Sequence, residues 1–338
     1  MNAMRVGLVY DLFEHYPWQP GDPADADAEY EPEETLLALE EALRLLGHTP
    51  VRIGPARTLL QQLSSLTIDV AVNIAESYGS RNREAHAPIL LELAHIPYIG
   101  SDALTLSVSL DKAWTKDLAL AAGVPTPPYR LYRKVAEITT ESLPGTFPLF
   151  VKPRYEGTAK GILPESKVHS LEALQHQVTR IIQNYRQDAL VEPFIEGAEY
   201  TVAIIGNDPP QALPVLQRAV EKQTGIGLHA LERKGVPQQS WTYEIPGEIT
   251  PQLENTLKRV ALNIYNKLEC KDFARVDFRV DPEGNPWFLE INPLPTFAPD
   301  GTFAIIAQLS GEEYPSFLAR VLEQALNRAL REHPSSKN

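Results

Sequence analysis

The side chains best suited to chemistry lie near the carboxyl end of the chain. Two alternating runs, 274–280 and 287–292, flank the turn-forming stretch Asp-Pro-Glu-Gly-Asn at 281–285, a pattern that predicts a β-hairpin. Alternation of period two puts Arg275, Asp277 and Arg279 on one face of the first strand. On the return strand it puts Phe288, Glu290 and Asn292 on one face.

If the polar faces of this hairpin pair, Asp277, Glu290 and Asn292 converge with Arg275 beside them. Oxygen ligands without histidine or cysteine suit Mg²⁺, which binds through one or two carboxylates together with substrate phosphates. A solvated polar face with a salt bridge is the alternative interpretation. We favour the metal site because apolar residues bracket Glu290 and Asn292, and a carboxylate in such surroundings needs a partner.

Composition narrows the class of protein that could carry this hairpin. A chain of 338 residues exceeds the usual single core and predicts two or three domains. A net charge of −13 argues against a general nucleic-acid or membrane surface, although a nucleotide could bind in a local basic pocket. Cys270 is the only cysteine, and no long apolar run or signal peptide is evident, which predicts a cytoplasmic protein.

The amino-terminal hundred residues alternate between strand and helix patterns. Such alternation predicts a parallel sheet covered on both faces, within an α/β fold. Residues 11–32, rich in Pro, Asp and Ala, are predicted to form a long loop of the kind that is usually functional or mobile. The predicted strands are 4–10, 51–53 and 68–74, and the predicted helices are 33–46, 57–63 and 84–94.

A second segment follows the proline-rich stretch 124–128, which marks a boundary or hinge. Within it, the loop at 156–162 carries two glycines around a threonine and a lysine, and its backbone N–H groups could cradle phosphate oxygens. It is not a P-loop, because Gly-Lys-[Ser/Thr] is absent. A glycine-containing surface turn is the commoner explanation of such a stretch.

Three charged residues in this region stand in or beside apolar strand patterns. Lys152 ends an apolar run, so its ammonium group should emerge beside the glycine loop; a lysine snorkelling at a strand end is the alternative. Glu192 and Glu199 are embedded in strand patterns. Buried carboxylates need hydrogen-bond donors, which a nucleotide's amino and ribose hydroxyl groups could supply, whereas a buried salt bridge is the competing interpretation.

Five stretches in order are far more specific than any one of them. They are Asp111-Lys112 with Thr115-Lys116, Val151-Lys152-Pro153 with Glu156-Gly157-Thr158, 191–195, 199–202, and 274–277 with Glu290-Ile291-Asn292. Together they resemble the ATP-grasp superfamily and, within it, the D-alanine–D-alanine ligase family, over about residues 1–325.

The resemblance implies a three-domain ATP-grasp architecture of mixed α/β class. A parallel α/β domain would occupy residues 1–106, a central subdomain 107–197, and a carboxyl-terminal domain with the magnesium site 198–331, followed by a tail at 332–338. ATP would lie between two antiparallel sheets. The family is usually homodimeric, so a homodimer is compatible with the resemblance.

The resemblance also implies roles for individual residues. Asp277, Glu290 and Asn292 would hold two Mg²⁺ ions, with Mn²⁺ as an alternative, and Arg275 would stabilise the transferring phosphoryl group. Lys234 stands near the place of a catalytic lysine in a flexible loop. The implied ATP contacts are Lys112 and Lys152 at the phosphates, Glu156, Thr158, Ala159, Lys160 and Gly161 in the covering loop, Glu192, Phe194 and Ile195 at the adenine, and Glu199 at the ribose.

The implied reaction joins a carboxylate to an amine. ATP would convert the carboxylate to an acyl phosphate, which the amine attacks, so that a carbon–nitrogen bond forms and ADP and phosphate leave. Phosphoryl transfer needs positioning and charge neutralisation, which metal ions, lysines and an arginine supply. Because water hydrolyses an acyl phosphate, a lid must cover the site, and the glycine loop and residues 222–240 are the candidates.

The resemblance breaks where the substrates would bind. The family's amino-terminal Glu-Val-Ser element and its His-Gly and Gly-Glu-Asp-Gly elements are replaced by 10–15, 73–77 and 81–86, and 295–302 lacks the family's carboxylate-binding serine. We therefore expect a small carboxylic acid and an amine other than two D-alanines. The remaining candidate substrate contacts are Tyr78, Glu84, His86, Thr296 and Gly301, although a histidine on a helix flank such as His86 is more often structural.

Three functions follow from these observations. The first is an amino-acid ligase that uses ATP, for example one that builds a specialised metabolite such as a mycosporine. The second is a dedicated D-alanine–D-alanine ligase of cell-wall synthesis. The third is a nucleotide-binding module without ligase activity, against which the intact phosphate and metal residues argue.

Overall fold

The computed structural model describes residues 2–227, 229 and 242–332. Its first sheet is parallel, as the alternation of strands and helices predicts, with strand order β2-β1-β3-β4. The strands are β1 Arg5–Tyr10, β2 Thr49–Gly54, β3 Val70–Ile74 and β4 Tyr98–Ile99, and the helices beside them are α1 Glu33–Leu45, α2 Ala56–Gln62 and α3 His86–Leu93.

Alternate side chains of these strands enter separate apolar cores on the two faces of the sheet. Val6 and Leu8 of β1 pack with α1, whereas Val9 packs with α2 and α3. The last helix of the chain, Tyr314–Glu332, also covers the α1 face with Leu322 and Leu326. The carboxyl-terminal helix therefore closes the core of the amino-terminal sheet.

Residues 11–32, called the strap below, form the predicted long loop. A bridge between Leu12 and Glu31 closes its base, and its only helical turn is the 3₁₀ turn Phe13–His15. Although the strap lacks longer helices and strands, Asp25, Glu29 and Glu31 are buried. Their burial places strap carboxylates inside the protein rather than on its surface.

Two helices lead from the first sheet to the second, α4 Ala103–Leu110 and α5 Lys112–Ala121. Asp111 separates them and caps α5 by accepting hydrogen bonds from the backbone N–H groups of Ala113 and Trp114. Its carboxylate also pairs with Arg154 at 2.7 Å. Asp111 therefore fixes Lys112 at the start of a helix, where N-capping stabilises the first turn.

The second sheet is antiparallel, in the order β5-β8-β6-β7, with helix α6 Leu171–Tyr185 on one face. Alternation sends Leu149 and Val151 into the core under α6, so Phe150 and Lys152 face the opposite way. The strands are β5 Arg130–Tyr132, β6 Leu149–Pro153, β7 Lys167–Val168 and β8 Ala189–Pro193.

The third sheet is also antiparallel, in the order β10-β9-β14-β15, with β11 paired to β9, and helix α7 Pro251–Lys267 covers its apolar face. Two further strands, β12 Val220–Glu221 and β13 Tyr243–Glu244, pair with each other. The last two helices are α8 Thr302–Leu309 and α9 Tyr314–Glu332. The strands of the third sheet are β9 Ala198–Ile205, β10 Gln211–Ala212, β11 Leu216–Arg218, β14 Phe273–Val280 and β15 Pro286–Asn292.

The predicted hairpin is β14 and β15, and it differs from the prediction at one position. Asp277 pairs with Glu290, but the register then shifts, so that Phe278 pairs with Phe288. The extra residue, Leu289, forms a bulge, which reverses the alternation of the return strand. Phe288 is therefore not on the polar face: it is fully buried, with its ring centroid 6.2 Å from that of Phe278.

The three larger sheets follow one another along the chain in the predicted order, while the exact domain boundaries stay a prediction. None of the helices in the described ranges combines the length and apolar character that crossing a bilayer requires. Residues 333–338, predicted as a tail, and Lys234 lie outside the described residues.

Candidate active site

A cavity opens between the polar faces of the second and third sheets; we call it the inter-sheet cavity. Its walls include all the predicted ATP contacts except Gly161, together with Arg275, Asp277 and Glu290. They come from distant parts of the chain, because Lys152 lies on β6, Glu192 on β8 and Asp277 on β14. Strand alternation on two facing sheets is what brings them together.

A buried cluster of charges forms one wall of this cavity. Glu192 pairs with Lys152 at 2.6 Å and with Lys116 at 2.7 Å. Burial favours the neutral acid, but the two ammonium groups outweigh it and hold the pKa of Glu192 below its usual value. The sequence placed Lys116 in a motif without giving it a role, and nothing in the helical pattern signals that its side chain is fully buried.

Thr126 holds Lys116 on its other side. Its ammonium group donates to the Thr126 hydroxyl at 2.7 Å, and that hydroxyl donates to the carbonyl of Phe288 at 2.8 Å. Burial lowers the pKa of Lys116 to about 8, although the charge of Glu192 opposes the shift. This chain of bonds links α5, the second sheet and the metal-site hairpin.

Lys112 connects the hairpin to the glycine loop. Its ammonium group lies 3.0 Å from Glu290 and donates to the carbonyl of Glu156 at 2.5 Å. Burial raises the pKa of Glu290, but Lys112, Lys152 and Arg275 outweigh burial and lower the pKa to about 2. Glu290 is therefore ionised at neutral pH, as a metal ligand must be.

The second predicted metal ligand, Asp277, lies opposite Glu290 across the hairpin. Its carboxylate is 3.0 Å from Arg275 and accepts a short hydrogen bond from the hydroxyl of Thr201. The third, Asn292, pairs with Arg275 in the register and accepts from the backbone N–H of Leu294 at 2.8 Å. All three predicted ligands therefore lie on one end of the hairpin.

This set of side chains fits a hard cation that also takes ligands from a substrate. In the described part of the chain, no group of three His, Cys, Asp or Glu side chains is placed to hold a metal ion by itself. Two carboxylates and an amide oxygen suit Mg²⁺, which commonly completes its coordination with phosphate oxygens and water. These donors therefore suit the predicted Mg²⁺, whose remaining coordination positions phosphate oxygens would fill.

The far end of the cavity is lined by Phe194, Glu199 and Arg279. Arg279 lies 3.3 Å from Glu199, and its guanidinium stacks 4.6 Å from the centre of the Phe194 ring. Lys167 covers the same ring at 4.1 Å. Strand alternation placed Arg279 on the correct face without indicating a role, and no pattern in the sequence singled out Lys167.

The glycine loop differs from the predicted phosphate cradle. The backbone N–H of Gly157 donates to Glu29 at 2.5 Å, and that of Gly161 donates to Asp25 at 2.7 Å. Both N–H groups are thus bound to carboxylates of the strap. Gly161 lies outside the cavity wall, whereas Thr158, Ala159 and Lys160 line it.

Ion pairs also hold the strap against the glycine loop. Glu29 is 2.5 Å from Arg83 and 3.4 Å from Lys160, while Lys160 also pairs with Glu156 at 2.8 Å. Burial raises the pKa of Glu29, but Arg83 and Lys160 bring it down to about 2. The acidic composition of the strap was the available signal for this contact.

A smaller cavity, called the glutamate cavity below, lies beside the inter-sheet cavity. Lys112, Thr158 and Glu290 line both. Glu76 and Glu84 line only the smaller one, together with Asn292. The predicted substrate contact Glu84 therefore lies next to the residues that face a nucleotide's phosphates in the resembled family.

The other predicted substrate contacts are spread out. Tyr78 is exposed and lines an outer cavity beside the strap. His86 begins α3 and lines none of these three cavities. Thr296 donates its hydroxyl to Glu31 at 2.8 Å, and Gly301 precedes α8 as its N-cap. Only Glu84 of this set lies beside the hairpin ligands.

Comparison with known sequences identifies the family to which this chain belongs. Residues 118–323 match the family model described as D-ala D-ala ligase C-terminus. The chain belongs to the D-alanine–D-alanine ligase family. A D-alanine–D-alanine ligase of Pelotomaculum thermopropionicum is 32% identical over 298 residues, which cover 86% of this chain and 90% of that protein. Uncharacterized protein y4sG of Sinorhizobium fredii is 32% identical over 340 residues, covering 97% and 96%.

Solved structures agree on the fold. A D-alanine–D-alanine ligase from Bacillus anthracis, crystallised with ATP, superposes with a TM-score of 0.71 at 22% identity and covers 98% of this chain and 100% of that one. The VanG D-Ala:D-Ser ligase from Enterococcus faecalis gives 0.70 at 19% identity, covering 96% and 99%. The predicted ATP-grasp α/β fold is confirmed.

Family membership has two consequences for the predicted functions. It confirms an ATP-dependent ligase that forms carbon–nitrogen bonds, and it argues against a binding module without activity. It also favours the D-alanine–D-alanine ligase alternative over the specialised-metabolite ligase that we predicted first. The roles of individual residues stay predictions.

Proposed function

We propose that this protein is an ATP-dependent ligase of the D-alanine–D-alanine type. It activates the carboxylate of one small amino acid as an acyl phosphate and joins it to the amino group of a second, with release of ADP and phosphate. The observation that carries the proposal is one cavity between two antiparallel sheets, into which Lys112, Lys152, Arg275 and two carboxylates converge.

In this proposal ATP lies in the inter-sheet cavity. The apolar end near Phe194 and Ile195 takes the adenine, and Glu199 takes the ribose. Lys112 and Lys152 hold phosphate oxygens, with Thr158, Ala159 and Lys160 above them. The buried Glu192 keeps Lys152 in position through their 2.6 Å ion pair.

Asp277, Glu290 and Asn292 would hold the divalent cations, two Mg²⁺ ions with Mn²⁺ as a substitute. When bound, these ions neutralise charge on the phosphate oxygens during transfer. Arg275, held against Asp277 at 3.0 Å, adds a fixed positive charge at the same place. A preorganised charge of this kind stabilises a transition state without the cost of reorienting solvent.

Water must stay away from the acyl phosphate, and the strap contributes to that exclusion. Glu29 and Asp25 hold the glycine loop down over the cavity from the side of the amino-terminal sheet. Closed sites of this kind protect reactive intermediates from hydrolysis.

A second candidate keeps the same chemistry but changes one substrate. Thr296 stands in the segment where dedicated enzymes of the resembled family have their carboxylate-binding serine, and here its hydroxyl is donated to Glu31 of the strap. That contact favours a ligase whose second substrate is an amine other than D-alanine. The proposed partners in both cases are small molecules, and homodimer formation stays a prediction.

An assay of coupled ADP release tests the proposal. Purified protein is incubated with ATP, Mg²⁺ and either D-alanine alone, D-alanine paired with D-serine or another amine, or each of those amines alone. The masses of the products are measured by mass spectrometry. We expect rapid ADP release with D-alanine and a product one water lighter than two D-alanines. Product with a different amine only would select the second candidate. No ADP release with any acid and amine would refute both.

A further inference from the structure

Arg279 is buried at the far end of the inter-sheet cavity in surroundings that support its charge poorly. It is only 4% exposed, and its Nε atom has no hydrogen-bond partner in the described part of the chain. Burial lowers the pKa of Arg279, and the charges of Glu199 and Glu196 do not fully offset that effect. A buried arginine with an unpaired donor costs free energy of folding, so its place in the cavity calls for an explanation.

Arg275, on the same face of β14, shows that burial alone does not produce this result. Burial lowers the pKa of Arg275 as well, but Asp277 and Glu290 outweigh burial and raise it. Among the described residues, Arg279 has one carboxylate within ion-pair distance, that of Glu199 at 3.3 Å, whereas Arg275 lies 3.0 Å from Asp277. The protein therefore keeps Arg279 where its charge is the less stabilised of the two.

The guanidinium group of Arg279 is held in one orientation. Its Nη2 donates to the carbonyl of Gly197 at 2.8 Å, and its Nη1 donates to the carbonyl of Gly225 at 2.9 Å. Its centre lies 4.6 Å from the centre of the Phe194 ring, within the range of a cation–π contact. Two backbone contacts and one ring contact leave the guanidinium little freedom, so a side chain that binds to it is also fixed in place.

The side chain that Arg279 fixes is Glu199. The two residues lie opposite each other in the register of β14 and β9, and both line the cavity. The register also pairs Glu199 with Arg218 on β11, but Arg218 donates to the hydroxyl of Thr302 at 2.5 Å instead. The ion pair joins Nη1 of Arg279 to Oε2 of Glu199, while Oε1 lies 3.6 Å from Nδ1 of His229, beyond ordinary hydrogen-bond distance.

A carboxylate in a fixed orientation suits a ligand with two neighbouring hydroxyl groups. Each carboxylate oxygen can accept more than one hydrogen bond, so Glu199 can bind Arg279 and still accept from hydroxyl groups. A glutamate that is free to rotate loses side-chain entropy when a ligand orders it, and that loss weakens binding. In the proposed function the ribose of ATP lies at Glu199, and ribose carries two such hydroxyl groups, on C2′ and C3′.

We propose that Arg279 is a positioning residue that fixes Glu199 for the ribose and so makes the site select ribonucleotides over nucleotides without ribose hydroxyl groups. The inference rests on the proposed function, because it takes the nucleotide to lie in the inter-sheet cavity. It goes beyond that function by assigning the discrimination between sugars to a residue that acts through Glu199.

Isothermal titration calorimetry with ADP and with 2′,3′-dideoxy-ADP, each with Mg²⁺, measures this discrimination without any ligase reaction. We expect the wild-type protein to bind ADP about 10- to 100-fold more tightly, because the dideoxy sugar cannot donate hydrogen bonds to the carboxylate. Arg279→Met should reduce this preference about 3- to 10-fold, since the ligand itself must then order Glu199. Arg279→Lys keeps a positive charge near Glu199 and should retain part of the preference.

A double-variant cycle tests whether Arg279 acts through Glu199. Glu199→Gln should remove most of the preference for ADP, and adding Arg279→Met to it should change the remaining preference by less than about 2-fold. An arginine with a merely structural role would instead weaken the binding of both nucleotides by the same factor. The preference is a ratio of two affinities of one protein sample, so a partly unfolded variant does not distort it.

Arg320→Met is the matched control. Arg320 also stacks on a phenylalanine, 4.9 Å from the centre of the Phe317 ring, and pairs with Glu312 at 3.0 Å, but it lies on the exposed side of α9. Its replacement should leave the preference for ADP at the wild-type value.

The outcomes separate this inference from the function on which it rests. If the wild-type protein prefers ADP as expected but joins no acid to an amine, the ligase proposal fails and the role of Arg279 stands. The inference is wrong if the wild-type protein does not distinguish the two nucleotides, or if Arg279→Met lowers both affinities by the same factor. It is wrong as well if the effects of Arg279→Met and Glu199→Gln on the preference add. A protein that binds neither nucleotide would refute both proposals.

Discussion

The inter-sheet cavity and the glutamate cavity share a wall but balance their charges in opposite ways. In the first, each buried carboxylate has a cation within reach: Glu192 has two lysines, Glu290 has Lys112, and Asp277 has Arg275. In the second, Glu84 forms no ion pair with a described residue, although Lys112 lines the same cavity. Lysines hold the pKa of Glu192 and Glu290 low in the first cavity, whereas burial raises the pKa of Glu76 and Glu84 in the second.

The two cavities therefore differ in the charge that they offer a ligand. Paired charges in the inter-sheet cavity keep lysines and carboxylates rigid and ionised, which suits a ligand with many negative charges and accompanying metal ions. Beside it, burial raises the pKa of Glu76 and Glu84 and so favours their neutral forms. The protein thus gathers its paired charges on the inter-sheet side of Glu290.

The largest expected effect comes from removing the hairpin carboxylates. Glu290→Gln and Asp277→Asn keep the shape of the side chains but remove the metal-binding charge, and each should lower kcat by about 10³-fold or more. Steady-state ADP release measures the loss. Glu283→Gln, in the exposed turn of the same hairpin, is the matched control and should keep full activity. Rates near wild type in the first two variants would remove the metal assignment.

A second effect concerns stability and the paired charges of the inter-sheet cavity. Lys116→Met leaves Glu192 with Lys152 alone and should lower the free energy of unfolding by about 3 kcal/mol, the low end for breaking a buried ion pair. Urea denaturation measures it. The control Lys258→Met breaks a half-buried pair with Glu254 on the surface of α7 and should change stability by less than about 0.5 kcal/mol. Equal losses in both variants would show that burial does not strengthen the Lys116 contact.

Local patterns were enough to predict most of the inter-sheet cavity. Alternation placed Asp277 and Arg279 on one face, and short motifs placed Lys152 and Glu192 in strands, since a strand's period is visible within a few residues. The error at Phe288 has the same origin. A single extra residue, Leu289, reverses the alternation, and a bulge leaves no mark in the hydrophobic pattern.

The substrate side could be predicted only in part, because long-range contacts build it. The composition of residues 11–32 indicated a loop but not that Glu29 would bond to Gly157 or Asp25 to Gly161. The glycines predicted a phosphate cradle because free backbone N–H groups bind anions. In the structure these two N–H groups instead donate to carboxylates of the strap. Which partner an acidic loop finds depends on how the sheets are arranged, which no local pattern records.

The smallest expected effect concerns the strap as a cover. The Tyr185 hydroxyl donates to Asp25 at 2.8 Å, next to the bond between Asp25 and Gly161. Tyr185→Phe removes one hydrogen bond worth about 1 kcal/mol, which should loosen the strap by up to about 5-fold. More acyl phosphate would then meet water, so the ratio of ADP released to ligated product should rise by a similar factor, about 2- to 5-fold.

Tyr129→Phe is the matched control, because it removes a tyrosine hydroxyl that lies away from the strap. The Tyr129 hydroxyl bonds to Asp117 at 2.9 Å and to the carbonyl of Ala113, both in α5 and away from the strap. Its loss should cost similar stability and leave ADP and product in the wild-type ratio. If both variants release ADP and product in that ratio, the strap does not keep water out. The glycine loop would then owe its closed position to the bound nucleotide rather than to Asp25 and Glu29.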